Sequence, residues 1–238
     1  MGVLVVTGTG TDVGKTVVTA AIAALAVDRG RQVAVLKPAQ TGVSDGRSGD
    51  LAEVRRLAGP VTTRELRRYP EPLAPETAAR RAGLPPVRPA DIAAAATDLA
   101  DKHDLVLVEG AGGLLVRFDT DGATLADAAW ALSAPVLLIA DAGLGTLNAT
   151  ALTAEVMVRR GLDCVGVVVG RWPAEPDLAQ RCNLVDLPVS AGAPLLGVLP
   201  DGAAALSRAE FLALAHRFLS PVLDGDFDSD EFTAKHTA

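Results

Sequence analysis

The stretch GTGTDVGKT, residues 8–16, holds the residue types that bind the phosphates of a nucleotide. It follows the apolar run VLVV at 3–6 and precedes an Ala-rich apolar segment that begins at Val17. Backbone N–H groups of such a loop wrap an anionic phosphate, and the following helix presents its positive end. Lys15 can reach the β- and γ-phosphates, and the Thr16 hydroxyl can ligate Mg²⁺. The stretch therefore predicts a phosphate-binding loop.

The loop departs at one place from the strict pattern G-x-x-x-x-G-K-[ST]. Thr9 occupies the position of the first glycine, and Gly8 and Gly10 flank it. The alternative interpretation is a Gly-rich turn that leaves Lys15 exposed. An apolar run before the stretch and a helix-like segment after it favour the phosphate-binding loop.

A bound nucleoside triphosphate brings a Mg²⁺ ion, which needs hard oxygen ligands besides Thr16. Glu109 ends the apolar run LVLV and begins EGAGG, whose glycines let the backbone approach a phosphate closely. A solvated loop acid is the alternative for Glu109. Asp50, before LAEVRRLA, is a second candidate ligand, although Asp at such a place is equally typical of a helix N-cap.

A second lysine, Lys37, ends the apolar run VAVL and opens the segment KPAQTG. Open α/β sheets bind ligands at the carboxyl ends of their strands, although a lysine there is often only a surface charge. With Lys15 on the phosphates, Lys37 and the Thr41 hydroxyl can neutralise a substrate that becomes anionic and attacks the γ-phosphate. This combination predicts a kinase-like or ligase-like site.

Short, continuously apolar runs recur along the chain and predict strands buried on both faces, as in a parallel sheet. Segments rich in Ala and Leu predict helices between them, at 17–28, 91–100, 146–160 and 207–219. The alternation predicts a doubly wound α/β fold, a mainly parallel sheet flanked by helices. The six runs are VLVV at 3–6, VAVL at 33–36, LVLV at 105–108, VLLIA at 136–140, VGVVV at 165–169 and LLGVL at 195–199.

Two segments do not fit this alternation. The Pro-rich region from Gly59 to Pro89 is interpreted as an irregular excursion within one domain, which spans residues 1–223. The last segment, 224–238, carries five acids and one lysine and holds four of the seven net negative charges of the chain. We expect this acidic tail to be disordered.

The composition excludes several classes of protein. The formal net charge of −7, without a basic patch, argues against nucleic acid as a partner. Cys164 and Cys182 lack the spacing of a metal site and are too few for a disulfide framework. We find neither a signal peptide nor a membrane-spanning run, so we expect a cytoplasmic protein without membrane contact.

Five motifs, in this order, resemble those of the dethiobiotin synthetase family over nearly the whole chain before the tail. They are GTGTDVGKT at 8–16, KPAQTG at 37–42, GD at 49–50, VEGAGGLLV at 108–116 and DAGLGTLNAT at 141–150. The family's loop has the same additional residue between its glycines, so the misfit at Thr9 is a family feature. The resemblance implies a P-loop NTPase-like fold and a ligase that uses Mg²⁺, ATP or another nucleoside triphosphate, CO₂ and 7,8-diaminononanoate.

The resemblance implies a role for each matching residue. Lys37 and Lys15, with Thr11, form the catalytic centre. Thr16, Asp50 and Glu109 hold Mg²⁺. The nucleotide is bound by Asp12, Val13, Gly14, Lys15, Thr16, Val17, Asp50, Glu109, Gly110, Ala111, Gly112, Gly170, Arg171, Pro200, Asp201 and Gly202.

The resemblance also implies a homodimer whose partner subunit completes the substrate site. Thr41 approaches the diamine or its carbamate, and Leu144, Gly145 and Asn148 act across the interface, where amides at a helix start bind the substrate carboxylate. Without the family, the segment GLGTLNAT would be interpreted as a plain turn in which Thr146 caps a helix.

One position departs from the family pattern. An Asn often follows the strand that corresponds to VGVVV, where its amide reads the adenine edge, but here the residue is Gly170. Base recognition is then left to backbone groups of 170–171 and 200–202. We therefore expect weak discrimination among nucleoside triphosphates, with a pyrimidine nucleotide favoured.

Three other interpretations compete with this one. A cobyrinate-type synthetase domain also phosphorylates a substrate oxygen, but it is joined to a glutaminase domain for which this length leaves no room. A partitioning-type ATPase switch carries an additional lysine near the start of its loop, where this chain has Gly8-Thr9-Gly10. A non-enzymatic nucleotide-binding module would not need both Lys15 and Lys37.

Overall fold

A single sheet of seven parallel strands forms the centre of the protein in the computed structural model, which describes residues 2–237. All six predicted apolar runs lie in strands of this sheet, and the predicted fold class is confirmed. The strands are β1 Val3–Gly8, β2 Val33–Thr41, β3 Thr62–Tyr69, β4 Leu105–Gly113, β5 Val136–Ala140, β6 Cys164–Trp172 and β7 Leu195–Pro200.

Helices cover both faces of the sheet, and the four predicted helices are confirmed. Four others, α2, α3, α5 and α7, were not predicted as helices, because they are short or carry Arg, Glu or Pro among their apolar residues. The helices are α1 Lys15–Asp28, α2 Asp50–Ala58, α3 Pro75–Ala82, α4 Pro89–Ala100, α5 Leu125–Leu132, α6 Thr146–Arg159, α7 Leu178–Ala191, α8 Arg208–Phe218 and α9 Ser229–Thr237.

The strand order β3-β2-β4-β1-β5-β6-β7 places the chemically important strand ends side by side. Strand β4 lies between β1 and β2, with Val6 opposite Glu109 and Leu36 opposite Val108. Because all three strands are parallel, their carboxyl ends meet at one edge of the sheet. This edge therefore brings together the loop after β1, the end of β2 and Glu109.

The core consists of two layers, one on each face of the sheet. Successive residues of β1 alternate between them, with Val5 in one layer and Val6 in the other, both without solvent exposure. Strands buried on both faces have this continuously apolar sequence. Many of the buried side chains of α1 are alanines. These small side chains allow the helix to lie close against the sheet.

The region from Gly59 to Pro89 is more regular than predicted, because it contains β3 and α3. Strand β3 lies at the edge of the sheet and pairs only with β2 among the described residues. Its sequence TTRELRRY is highly charged, as edge strands often are, because charged side chains prevent pairing with other chains. A search for apolar runs therefore misses this strand.

The acidic C-terminal segment also differs from the expectation of disorder. Helix α9 occupies 229–237, and Phe227, just before it, is buried. Phe232 packs against the core with its ring centroid 5.9 Å from that of Trp172. The two phenylalanines give the segment an apolar surface that packs against the core, and the segment is therefore ordered despite its negative charge. No helix within 2–237 is long and apolar enough to cross a membrane.

Candidate functional site

The loop between β1 and α1 has the backbone geometry of a phosphate cradle. Asp12 and Gly14 have positive φ angles of 59° and 96°, and α1 begins at Lys15 without a side-chain cap. The first N–H groups of a helix have no partner within that helix, so they can bind an anion. This loop and helix are therefore arranged to hold phosphates.

Gly170, near the end of β6, lies against the backbone of this loop. A Cβ atom on Gly170 would lie 2.1 Å from the carbonyl oxygen of Val13, and one on Gly14 would lie 2.5 Å from that of Gly170. Both distances are too short for any side chain. The glycine at position 170, where the family often has Asn, therefore has a steric reason, because the backbones of Gly170 and of the phosphate loop are in contact.

Lys15 lies at the start of α1 and is only 8% exposed. Its Nζ donates a hydrogen bond of 2.6 Å to the carbonyl oxygen of Gly10. Burial, and after it the positive charge of Lys37, lower the pKa of Lys15 from 10.5 to about 8. An anionic ligand beside Lys15 would restore the lost stabilisation of its charge.

We predict that nucleotide binding takes up a proton above pH 8. Lys15 is charged below a pH of about 8 in the free protein and loses its proton as the pH rises. Phosphates beside Nζ raise its pKa, so the complex binds more protons than the free protein above that pH, and affinity must fall as pH rises. Calorimetry in buffers of different ionisation enthalpy measures the number of protons taken up on binding at pH 7 and at pH 9. An equal number at the two pH values would contradict the prediction.

Lys37 lies in the middle of β2 and not at its end as predicted, because the strand continues to Thr41; it is 3% exposed and has two acidic partners. Its Nζ lies 2.6 Å from Asp50 Oδ2 and 2.7 Å from Glu109 Oε1, and donates to Gly110 O at 3.2 Å. Burial alone would lower the pKa of Lys37, but the two carboxylates outweigh it and raise that pKa. Lys37 is therefore a buried ammonium that stays charged at neutral pH, and the surface-charge interpretation is wrong.

Glu109 has no solvent exposure and only one of its carboxylate oxygens is hydrogen-bonded. Oε1 accepts from Lys37 and, at 2.8 Å, from the Thr16 hydroxyl, whereas Oε2 has no partner. An unpaired buried carboxylate oxygen is costly. A cation beside Thr16, Asp50 and Glu109 would remove this cost, and these oxygen donors suit Mg²⁺.

Within 2–237, no group of three His, Cys, Asp or Glu side chains forms a metal cluster by itself. A Mg²⁺ ion at this place would therefore depend on the Thr16 hydroxyl and on phosphate oxygens as well as on the two carboxylates. This donor set is typical of sites in which the nucleotide itself brings much of the coordination shell.

A cleft of about 810 Å³ opens over these side chains. It brings together most of the predicted site residues: Thr11, Asp12, Gly14, Lys15, Thr16, Val17, Lys37, Thr41, Asp50, Glu109, Gly110, Ala111, Gly112 and Arg171. Sequence reasoning missed other lining residues, namely Ala39, Gln40, Val116 and the loop 72–75. Of these, only Ala39, Gln40 and Val116 could have been found from the sequence, because they lie inside the motifs KPAQTG and VEGAGGLLV.

Some predicted residues do not line this cleft. Val13 is a buried residue of the phosphate loop, and Gly170 contacts the backbone of that loop. Pro200 ends β7, Asp201 and Gly202 follow it, and none of the three lines the cleft. Arg171 connects the two regions, since its Nε lies 3.0 Å from Asp201 Oδ1 and its Nη1 donates to Asp12 O at 3.4 Å.

Leu144 and Gly145 lie apart from the cleft on an exposed turn before α6, and Asn148 lies in the first turn of that helix. The Leu144 side chain is 94% exposed. Thr146 does not cap α6 as the plain-turn interpretation requires, because its hydroxyl donates to Asp141 O at 2.7 Å and the N-cap is Gly145. Asn183 of α7 fixes this turn by donating to Ala142 O at 2.8 Å, a contact that the sequence did not indicate.

Comparison with known proteins assigns the chain to a family. A family model described as an AAA domain matches residues 3–205. The ATP-dependent dethiobiotin synthetase BioD of Saccharopolyspora erythraea is 70% identical over 225 residues, which cover 94% of this chain and 98% of the relative. The protein of the same name from Streptomyces coelicolor is 63% identical over 236 residues, 99% of each chain.

Solved structures share the fold at much lower sequence identity. The cell division ATPase MinD of Pyrococcus furiosus superposes with a TM-score of 0.55 at 20% identity, covering all of this chain and 97% of MinD. Chloroplast FtsY of Physcomitrella patens gives a TM-score of 0.52 at 18% identity and covers 90% of this chain and 64% of FtsY. These similarities concern the fold alone.

Proposed function

The chain belongs to the ATP-dependent dethiobiotin synthetase family, and we propose that the cleft over the phosphate loop is its active site. The observation that carries the proposal is the position of Lys37. Its ammonium is held between Asp50 and Glu109 at the edge of a cleft that also contains Lys15 and the phosphate loop. Two buried cations beside a phosphate cradle suit a reaction in which an anionic substrate attacks a phosphate.

The protein is a ligase of biotin biosynthesis that converts 7,8-diaminononanoate, CO₂ and ATP to dethiobiotin, ADP and phosphate. In the proposed sequence, one amine of the diamine adds to CO₂ and loses a proton, which gives a carbamate anion. The carbamate oxygen attacks the γ-phosphorus, and the bond from that phosphorus to the β–γ bridging oxygen breaks as ADP leaves. The second amine then attacks the carbamate carbon and loses a proton, the bond from that carbon to the phosphorylated oxygen breaks, phosphate leaves with that oxygen, and the cyclic urea closes.

The two lysines have different roles in this proposal. Lys37, whose charge is maintained by two carboxylates, attracts the carbamate anion toward a phosphate that would otherwise repel it. Lys15, at the helix start, binds the β- and γ-phosphates and stabilises charge that develops during transfer. Thr11 and Thr41 line the same cleft, and their hydroxyls are available to the diamine or its carbamate.

The proposal includes a Mg²⁺ ion, which Thr16, Asp50 and Glu109 would hold. Its support is the unpaired buried Oε2 of Glu109 and the purely oxygen donor set around it. Such an ion, when bound, neutralises phosphate charge. The side chains of Thr16 and Glu109 are already 2.8 Å apart, so they need little rearrangement to share one ligand.

We also propose a homodimer in which the substrate carboxylate binds at the start of α6 of the other subunit. Gly145 is the N-cap of α6 without a side-chain hydrogen bond, which leaves N–H groups available to an anion. Leu144 beside it is almost fully exposed, and Leu178, Val185 and Val189 of the adjacent α7 are exposed as well. An apolar surface of this kind supports burial against a second copy.

The function is tested by measuring ADP and phosphate release with Mg²⁺, bicarbonate and 7,8-diaminononanoate, omitting each in turn. A ligase releases phosphate only when the diamine and CO₂ are both present, and it yields a cyclic urea. Hydrolysis that is indifferent to the diamine would instead favour the partitioning-type ATPase switch.

We predict that the protein discriminates weakly between nucleobases, with a pyrimidine nucleotide favoured. Steric contact with Val13 fixes glycine at position 170, so no side-chain amide can read the base there. The backbone of 170–171 and of 200–202 remains to form the base contacts. Calorimetric titration with ATP, CTP and GTP measures the discrimination, and ATP binding far tighter than both others would contradict this prediction.

A further inference from the structure

Gln40, near the end of β2, is a buried polar residue in the wall of the cleft that none of the proposed roles uses. It is 4% exposed. Its Oε1 accepts a 2.8 Å hydrogen bond from the backbone N–H of Asp50, and its Nε2 donates to Thr41 O at 3.3 Å. The side chain therefore connects strand β2 to the first residue of α2.

This contact replaces a missing helix cap. The N-cap of α2 is Gly49, which has no side-chain hydrogen bond to offer to the helix. The segment 42–49 that leads into α2 is largely exposed. Because the first N–H groups of a helix need outside partners, Gln40 supplies one that neither the N-cap nor the preceding loop provides.

The glycine at position 49 fits the same interpretation. A Cβ atom there would lie 2.6 Å from Oε1 of Gln40 and 2.9 Å from its Cδ. Gly49 has a φ of −111°, an extended conformation that any residue can adopt. Its lack of a side chain is therefore explained by the close approach of Gln40 rather than by backbone strain.

Gln40 and Lys37 lie on the same strand and both contact Asp50. Gln40 holds the backbone of Asp50, while Lys37 Nζ lies 2.6 Å from its Oδ2. Only 35% of the Asp50 side chain is exposed, so a small shift of the α2 start would move its carboxylate away from Lys37 and Glu109. The position of this carboxylate thus depends on a hydrogen bond to its own backbone.

We propose that Gln40 is a positioning residue that fixes the Asp50 carboxylate for metal–nucleotide binding. This inference rests on the proposed function, in which Asp50 helps to hold the metal. Removal of a residue that orients a metal ligand typically costs about 10- to 100-fold in metal affinity. Gln40 touches neither phosphate nor metal in this proposal, so its loss should leave metal-free binding of phosphates unchanged.

The test uses the full chain and Mn²⁺ as a paramagnetic substitute for Mg²⁺. Gln40→Met keeps the length of the side chain but removes the acceptor, and we expect Mn²⁺ binding to the nucleotide complex, followed by electron paramagnetic resonance, to weaken about 10-fold. Affinity for tripolyphosphate in the presence of a chelator should not change. Glu53→Gln, which changes the other acid in the first turn of α2, one that pairs with Arg56 instead of Lys37, is the matched control and should not alter Mn²⁺ binding.

Two further variants distinguish a failure of the inference about Gln40 from a failure of the proposed metal role of Asp50. Gly49→Ala presses a Cβ against Oε1 of Gln40 and should weaken Mn²⁺ binding in the same direction, which serves as the test if Gln40→Met does not fold. Asp50→Asn tests the metal role of Asp50 itself. If Asp50→Asn weakens Mn²⁺ binding while folded Gln40→Met or Gly49→Ala does not, the inference about Gln40 is wrong. If Asp50→Asn has no effect, the proposed metal role of Asp50 fails instead.

Discussion

Replacing Lys37 by Met is expected to lower the rate of dethiobiotin formation by at least about 1,000-fold, or about 4 kcal/mol of transition-state stabilisation. Lys37 is the buried cation that faces the cleft without being committed to the phosphate loop. Methionine fills a similar volume but cannot attract the carbamate. Nucleotide binding should fall much less, because Lys15 and the loop backbone remain. The measurement is product formation at saturating substrates, together with nucleotide affinity by calorimetry.

The same substitution is also expected to lower the stability of the protein. It leaves Glu109 buried without its cationic partner, and breaking a buried pair in this way typically costs about 3–5 kcal/mol. Activity should therefore be measured at a temperature where unfolding experiments show the variant to be folded. Lys102→Met is the matched control, because Lys102 forms an exposed ion pair with Asp98 and should change neither property. Near-normal turnover in a folded Lys37 variant would contradict the proposed mechanism.

Much of the fold could be predicted from the sequence because its central strands are buried on both faces. A run such as LVLV at 105–108 has no polar residue to obscure it, and the glycines after Glu109 mark where the strand reaches the ligand edge. Strand β3 could not be found in this way, since an edge strand has charged residues for a physical reason. Helix α9 was not predicted, because the five acids of the segment 224–238 dominate its composition and obscure Phe227, which is buried, and Phe232, which packs against the core.

The candidate site, too, could be predicted from the sequence only in part. Lys15 follows from the phosphate-loop motif, and Lys37 and Glu109 follow from the apolar runs that they succeed, although β2 and β4 continue beyond them to Thr41 and Gly113. Gln40 could not be recognised, since its role depends on a helix start that is distant in sequence from β2 and close to it only in the fold. The functions of Leu144 and Asn148 rest on the family resemblance, because a contact made by a second chain leaves no pattern within one chain.

Replacing Glu109 by Gln is expected to raise the Mg²⁺ concentration needed for half-maximal activity by about 10- to 100-fold. The amide keeps the size of the side chain, and its oxygen can still accept hydrogen bonds from Lys37 and Thr16. The negative charge and the unpaired Oε2, on which the proposed cation site depends, are lost. The pKa of Lys37 should also fall, because Glu109 is the leading cause that raises it against burial.

The two effects of Glu109→Gln, on the Mg²⁺ requirement and on the pKa of Lys37, can be measured separately. The Mg²⁺ titration of activity reports the cation site, whereas the high-pH limb of the rate profile reports Lys37, and that limb should move to lower pH in the variant. Glu155→Gln, which alters an exposed ion pair with Arg159 on α6, should leave both unchanged. An unaltered Mg²⁺ requirement in Glu109→Gln would mean that the buried carboxylate serves only to hold Lys37. In that case the metal would have to be bound by Thr16, Asp50 and the phosphates without it.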